Sequence, residues 1–509
     1  MHNMDRTPDS SPTDVDVLIV GAGISGIGTA FHLKSKQPGV SFAVLEARQA
    51  IGGTWDLFRY PGIRSDSELN TFGFAFKPWT EEETIADGDL ILNYLQETID
   101  ENGLESNIRL GHKVLRAEWN SGLAQWKVTI ELTDSGEQTE MTCRWLFAAG
   151  GYYDYEKGFT PDFAGADRFD GELIHPQHWP ADFDGTGKRI VIIGSGATAV
   201  TLVPALARQA GHVTMLQRSP SYVVSVPSVD RFAIRARRLL GDKRGYTLSR
   251  HLNIWRQIAI YGLSKRFPRT MRKLFMWGIR KQLPAGFDVD THFNPTYDPW
   301  DQRLCVVPDG DLFEAISDGK ASVVTDRIRN FTENGIRLES GREIEADVIV
   351  TATGLNLRPF GSAEVLVDGR KVELPETVVY KGTMLSGVPN FSFSIGYTNA
   401  SWTLKVDLVA EYLCRMLDYM RQRGFTSVVP ETTTDFETRP LLDFDAGYVK
   451  RVAGSLPRQG PDRPWTMNQN YHRDVKALIK EPVADPALKF ESAAHRAGHL
   501  DHGLRQVPA

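Results

Sequence analysis

Two short β-branched runs, Val15–Val20 and Arg189–Ile193, each end in a glycine-rich turn: Gly21-Ala22-Gly23-Ile24-Ser25-Gly26 and Gly194-Ser195-Gly196-Ala197-Thr198-Ala199. This repetition limits the fold more than any other feature of the chain. A buried strand that turns through glycine into a helix opens a dinucleotide-binding βαβ unit. Gly21 permits the sharp turn, Gly23 lets a pyrophosphate approach the backbone, and Gly26 lets helix pack on strand. The spacing predicts a helix from Ile24 to Lys36, stopped by Pro38-Gly39, and a second strand from Ser41 to Leu45. That strand delivers Glu46, an acid at the distance that suits the ribose hydroxyls of an adenosine. In the second unit a helix runs to about Arg208 and a strand spans His212–Gln217. No acid ends that strand; Arg218 and Ser219 do. An acid there repels a 2′-phosphate, whereas Arg offers a fork of charge-assisted donors, so NADPH is expected rather than NADH.

With 509 residues there is room for about three domain-sized units. Net charge is −6, so the chain as a whole has no attraction for nucleic acid. Cys143, Cys305 and Cys414 are far apart, which rules out a disulfide framework, a Cys-x-x-Cys redox pair and a thiolate metal site, and suits a reducing, cytoplasmic setting. Residues 1–14 are polar with two prolines and read as a disordered lead-in. No run reaches membrane-spanning length.

Charge is unevenly placed. Residues 231–281 carry fifteen Lys and Arg against one acid, Asp242, interleaved with Trp255, Ile258, Phe267, Phe275 and Trp277. The segment therefore holds +14 and the remainder −20. It predicts two or three basic amphipathic helices. The favoured reading is a helical cover over the substrate entrance; the competing one is peripheral contact with anionic lipid.

Between the two turns lies Phe169-Asp170-Gly171-Glu172-Leu173-Ile174-His175-Pro176-Gln177-His178-Trp179-Pro180. This pattern resembles the fingerprint of the type I Baeyer–Villiger flavin monooxygenases. A second stretch, Gly52-Gly53-Thr54-Trp55-Asp56-Leu57-Phe58-Arg59-Tyr60-Pro61-Gly62-Ile63-Arg64-Ser65-Asp66, resembles the other long signature of that family. Asp298-Pro299-Trp300-Asp301-Gln302-Arg303-Leu304 is similar to the branch that contains the mycobacterial ethionamide-activating monooxygenase. The resemblance covers Val15 to about Tyr471.

It implies an α/β fold with two Rossmann-like domains of the flavoprotein monooxygenase type and a helical insertion. Residues 15–151 would begin the FAD domain, 152–186 form a linker, 187–345 form the NADPH domain with its insertion at 221–300, 346–490 return to the FAD domain, and 491–509 form a polar tail. FAD would lie against Gly21, Gly23, Ser25, Gly26, Glu46 and the backbone near Val114, with Thr54, Trp55, Asp56 and Leu57 along the flavin. Arg64, Ser65 and Asp66 would sit at its reactive edge. NADPH would use Gly194 to Ala199, Arg218 and Ser219. Many relatives place Lys immediately before the arginine; Gln302 stands there and removes one cation from the 2′-phosphate site. His175 would fix the linker and couple it to nicotinamide binding, with Phe169, Gly171 and Trp179 completing the fingerprint. His175 and His178 without carboxylates make a poor metal site, and no metal is expected.

The implied reaction uses NADPH to reduce the flavin and O₂ to form a C4a-peroxyflavin. That adduct converts ketones to esters and oxidises sulfides, with Arg303 as the permanent cation beside it and Asp66 holding Arg303. Related N- or S-oxygenases and long-chain alkane hydroxylases use the same flavin chemistry. Trp179 favours the Baeyer–Villiger reading, since N-hydroxylating relatives usually carry Tyr or Phe there. Outside enzymes, a non-catalytic nucleotide-binding protein on a membrane surface is the competing class.

Overall fold

A computed structural model describes residues 14–432, 436–442 and 447–492. The expected lead-in, except Asp14, and the tail beyond Ser492 lie outside the described residues. Two parallel-centred sheets organise the molecule. In the first, β1 (Val15–Val20) is followed by helix α1 (Ile24–Lys36) and β2 (Phe42–Leu45), close to the predicted bounds. β1 pairs in parallel with β2 on one side and with β3 (Gln138–Ala148) on the other. β3 continues into an antiparallel meander with Gln125–Leu132 and His112–Asn120, and Phe391–Phe393 returns from far along the chain to pair with its end. Val17, Leu18 and Ile19 are fully buried, as strands covered on both faces must be.

The second sheet is entirely parallel. Its centre is β4 (Arg189–Ile193), followed by helix α2 (Ala197–Ala207) and β5 (His212–Gln217). Around these the order is Ala321–Thr325, β5, β4, Val348–Thr351, Glu172–Ile174. The last strand was not anticipated. Glu172–Ile174 lies within the fingerprint stretch, and it pairs with Val348–Val350. The stretch read as a connection is thus also an edge of the second sheet.

Ile108–Arg109 and His112–Asn120 are separate strands. The chain turns at Leu110-Gly111, with Gly111 at φ +68°, before His112–Asn120 begins. The basic segment forms three helices, α3 (Arg231–Leu240), α4 (Asp242–Arg266) and α5 (Pro268–Arg280). A long helix, α6 (Thr403–Arg423), packs its apolar face on the first sheet's core beside α1.

The two sheets meet through residues 58–62. Phe58 and Tyr60 are buried in the hydrophobic core that α2 and β4 build, and a Cβ on Gly62 would stand 2.8 Å from Ala205. Burial at this seam pushes the Tyr60 hydroxyl far above its ordinary pKa, while a hydrogen bond with Thr198 opposes the shift.

Candidate active site

Both glycine turns have the shape their residues require. Gly21 has φ +107°, and a side chain there would meet Ala149 O at 2.9 Å; Gly194 has φ +144° and would meet Ala352 O at 2.3 Å. A Cβ on Gly26 would overlap Gly21 O, so the helix lies directly on the turn. Neither Gly23 nor Gly196, the N-caps of α1 and α2, supplies a side-chain cap. The first N–H groups of both helices therefore keep donors for a bound anion.

A cavity of about 590 Å³ collects these features. Gly21, Gly23, Ser25, Glu46, Thr54, Trp55 and Val114 line it. Ala197 and Thr198, from the second turn, line the same cavity, as do Arg64, Ser65, Asp66 and Arg303. Gly23 and Gly53 face one another without side chains: a Cβ on Gly53 would lie 3.2 Å from the Gly23 Cα. Such a slot suits a pyrophosphate drawn against the backbone. Glu46 is buried at the end of β2, and its carboxylate accepts from Ala22 N at 2.8 Å and Arg48 N at 3.0 Å. Burial raises its pKa, and these backbone donors oppose the shift.

Asp56 and Leu57 do not line the cavity. Asp56 binds Arg48 and Arg59, and Leu57 packs on the second core. Arg64 pairs with Asp311 at 2.6 Å, and Ser65 bonds its hydroxyl to Ser67 O. Ser195 Oγ donates to Ser219 O at 3.1 Å and lies 2.8 Å from Ser221 Oγ, which ties the second turn to the end of β5. Arg218 and Ser219 are exposed there, and Ala199 is buried in α2.

Asp66 and Arg303, 237 positions apart in sequence, form an ion pair at 3.2 Å. Asp66 is the main reason Arg303 titrates well above its ordinary range, so the guanidinium stays charged at any working pH. Tyr153, Tyr152 and Tyr448 add to that effect, and Arg303 bonds the Tyr448 hydroxyl, whose pKa burial pushes up to about 12. The pair also lines a second cavity of about 860 Å³, which extends beneath α3, α4 and α5 past Glu68, Asn253, Gln257 and Phe275. Asp66, Arg303 and Val306 belong to both walls.

The fingerprint residues act on the connection. His175 Nε2 lies 3.3 Å from Gly354 O, and its Nδ1 accepts from Gln177 N at 3.2 Å. Burial lowers its pKa, which favours the neutral ring with Nε2–H as donor. A side chain on Gly158 would strike the ring, and one on Gly171 would strike Asp347 O at 2.5 Å. Phe169 packs edge-on to Phe331, and Trp179 edge-on to Phe183.

Three residues of the site were not anticipated from the sequence. Glu68 lies two positions past Asp66, and burial raises its carboxyl to about 7. Its pattern neighbour Asp66 was the available signal. Tyr152 and Tyr448 carry none, since only the fold brings them to Arg303. Trp402 also lines the smaller cavity, and its Nε1 donates to Ser25 Oγ at 2.9 Å.

The sequence model for flavin-binding monooxygenase-like proteins matches residues 15–384. FAD-containing monooxygenase EthA of Mycobacterium tuberculosis is 53% identical over 478 residues, which span 94% of this chain and 97% of that protein. Among solved structures, a steroid monooxygenase bound to NADP superposes with a TM-score of 0.73 at 24% identity, over 94% of this chain and 99% of that one. OTEMO in complex with FAD and NADP gives 0.73 at 21% identity, over 94% and 100%.

Proposed function

The chain belongs to the flavin-binding monooxygenase-like family, and from that premise we propose that it is an FAD-containing, NADPH- and O₂-dependent monooxygenase acting on ketones, which it converts to esters, and on sulfides. The observation that supports this reading best is the Arg303–Asp66 pair, held in the wall shared by the two cavities.

FAD fits the smaller cavity by the chemistry of its walls: an uncapped helix N-terminus at Gly23 for the pyrophosphate, Glu46 for the ribose, and Trp55 with Trp402 for a planar ring. When bound and reduced by NADPH, the flavin supplies the activated oxygen. NADPH would be held by the turn at Gly194–Ala199, with Arg218 to meet its 2′-phosphate. Arg303 keeps a positive charge and directed donors where the two cavities join. A carbonyl oxygen, or any oxygen that gains negative charge there, is stabilised by donors already in place. Asp66 sets the position of that guanidinium, and the Tyr448 hydroxyl bonds it from another side. His175, bonded to Gly354, fixes the connection between the domains that must align the two nucleotides. The domain division proposed with this reading is the one drawn from the sequence, with 152–186 as linker and 221–300 as insertion.

The substrate would occupy the larger cavity, whose lining mixes Ile85, Val224, Val226 and Phe275 with polar groups from α4. A compound suited to such a wall partitions into lipid, which would give the helices above it a part in delivery.

The test is product analysis of the purified holoenzyme with NADPH and labelled O₂, offered ketones of increasing chain length, a thioether and an alkane. One labelled oxygen in an ester, and one in a sulfoxide, is the expected result. Oxygenated thioether or alkane without any ester moves the protein to the heteroatom or alkane reading. Absence of substrate-dependent NADPH and O₂ consumption overturns the enzyme assignment.

A further inference from the structure

Helix α4 mixes polar groups into its inner face and carries an apolar stripe on its outer one. Beside the buried Tyr246 and Ile254, its inner face holds buried Arg250 and Asn253 and half-buried Gln257: Arg250 bonds the backbone of Asn70, Thr71 and Gly73, and Asn253 and Gln257 approach the Glu68 carboxylate. Its exposed residues include Leu248, Leu252, Trp255 and Leu263. At 3.6 residues per turn these four fall within about 80° of arc and run about 22 Å along the axis. A cover that meets water would show the opposite pattern.

The same excess marks the whole insertion. Among the described residues thirteen large apolar side chains are exposed, and ten of them lie in α3, α4, α5 and their joints, including Leu239 at 82%, Trp255 at 59% and Trp277 at 55%. Charge lies among them. Arg244, Arg256 and Arg266 flank the α4 stripe, and Lys281 sits over the Trp277 ring at 3.9 Å. Among the described residues only Arg250, Lys265 and Arg280 of the fifteen cations have a carboxylate within 4.0 Å. Exposed Leu and Trp ringed by Lys and Arg that mostly lack a carboxylate partner match the boundary of a lipid layer with anionic headgroups: the apolar groups enter the acyl edge, Trp sits at the interface, and the cations meet phosphate.

We propose that the outer face of α3–α5 docks the protein on an anionic lipid surface. The inner faces of these helices wall the larger cavity, with Arg231, Asn253 and Phe275 among its lining. The docked face and the cavity are therefore opposite sides of one layer one helix thick. Docking does not depend on which substrate is oxidised, and its readout does not require turnover. Among the described residues no helix is long and apolar enough to cross a membrane, so the contact is made from the surface.

The test is co-sedimentation of holoprotein with vesicles of phosphatidylglycerol and phosphatidylcholine, or of phosphatidylcholine alone. Salt is varied from about 0.1 to about 1 M, which shortens the screening length from about 10 to about 3 Å. Binding to the anionic vesicles is expected to be at least about tenfold tighter than to neutral ones and to weaken by a similar factor in high salt. Leu252→Gln with Leu263→Gln, both outside the cavity lining and compatible with a helix, should abolish binding while flavin content and NADPH oxidation stay unchanged. Lys243→Glu with Arg269→Glu should do the same through charge. No sedimentation with either vesicle overturns the proposal, as does binding that ignores charge or the leucines. A lipid-free dimer lost in the double-leucine variant would assign the face to a second copy and also overturn it.

Discussion

Replacing Arg303 with Ala is the most direct test of how the site works. The guanidinium stands 3.2 Å from Asp66, with side chains 39% and 31% exposed. At an effective dielectric of about 20 the gross attraction is about 5 kcal/mol. Solvent screening of a pair this accessible reduces its net contribution to folding to about 1 kcal/mol or less. The variant should therefore fold and load flavin. The barrier is a different matter. Removing one preorganised donor from a site of developing charge costs about 3–4 kcal/mol, a loss of about 10²- to 10³-fold in turnover. Product formation should fall by that factor, while NADPH still reduces the flavin under anaerobic conditions. In air the electrons should leave as hydrogen peroxide, quantified with peroxidase. Arg303→Lys keeps the charge but not the fork and should recover only part of the activity. Normal oxygenated product from Arg303→Ala would refute the role assigned to this cation. Failure to bind flavin would refute the stability estimate.

Arg218→Ala should leave NADH turnover unchanged and raise KM for NADPH about tenfold, since this exposed residue is the cation that the end of β5 offers to a 2′-phosphate; an unchanged NADPH-to-NADH ratio in steady-state kinetics would remove it from the site. Gly194→Ala places a methyl 2.3 Å from Ala352 O in a backbone region that side chains rarely adopt; a loss of about 2 kcal/mol or more, read as a lowered denaturation midpoint, should accompany weakened NADP binding with flavin retained. Glu68 has a folded pKa raised by burial from the ordinary 4.5 to about 7, so the folded chain holds its proton over a range where the unfolded chain has lost it. Its contribution is therefore complete below about pH 4.5 and is lost as pH rises toward about 7; Glu68→Gln should flatten that part of the melting-temperature profile, and an unaltered slope would locate the titration elsewhere.

The parts of the structure that could be read from the sequence were those fixed by local geometry. Val15–Val20, Ile24–Lys36, Arg189–Ile193 and His212–Gln217 end where a glycine turn or a change of periodicity ends them. Glu172–Ile174 was not legible as a strand, because three residues become one only through pairing with Val348–Val350. The pairing of Asp66 with Arg303 came from family likeness, not from any local signal, and the tyrosines around Arg303 had neither. The basic segment was recognised as helical and read first as a cover over the substrate entrance, a reading that does not account for its exposed leucines and tryptophans. The inner face of α4 buries Tyr246 and Ile254, but it also takes in the polar Arg250, Asn253 and half-buried Gln257. They have partners there: Gly73 O for Arg250, and Glu68 for the other two. Partner availability, which decides whether a polar group can be buried, is invisible before the chain is folded.

The packing of Phe58, Tyr60 and Gly62 against α2 bears on protein engineering. A chimera cut at the boundary between the two glycine units would transplant α2 without the side chains that fill its surface. Such a graft would open a hole where two aromatic rings had been. A workable exchange of cofactor modules would have to carry residues 58–62 along with a helix that begins more than a hundred positions later.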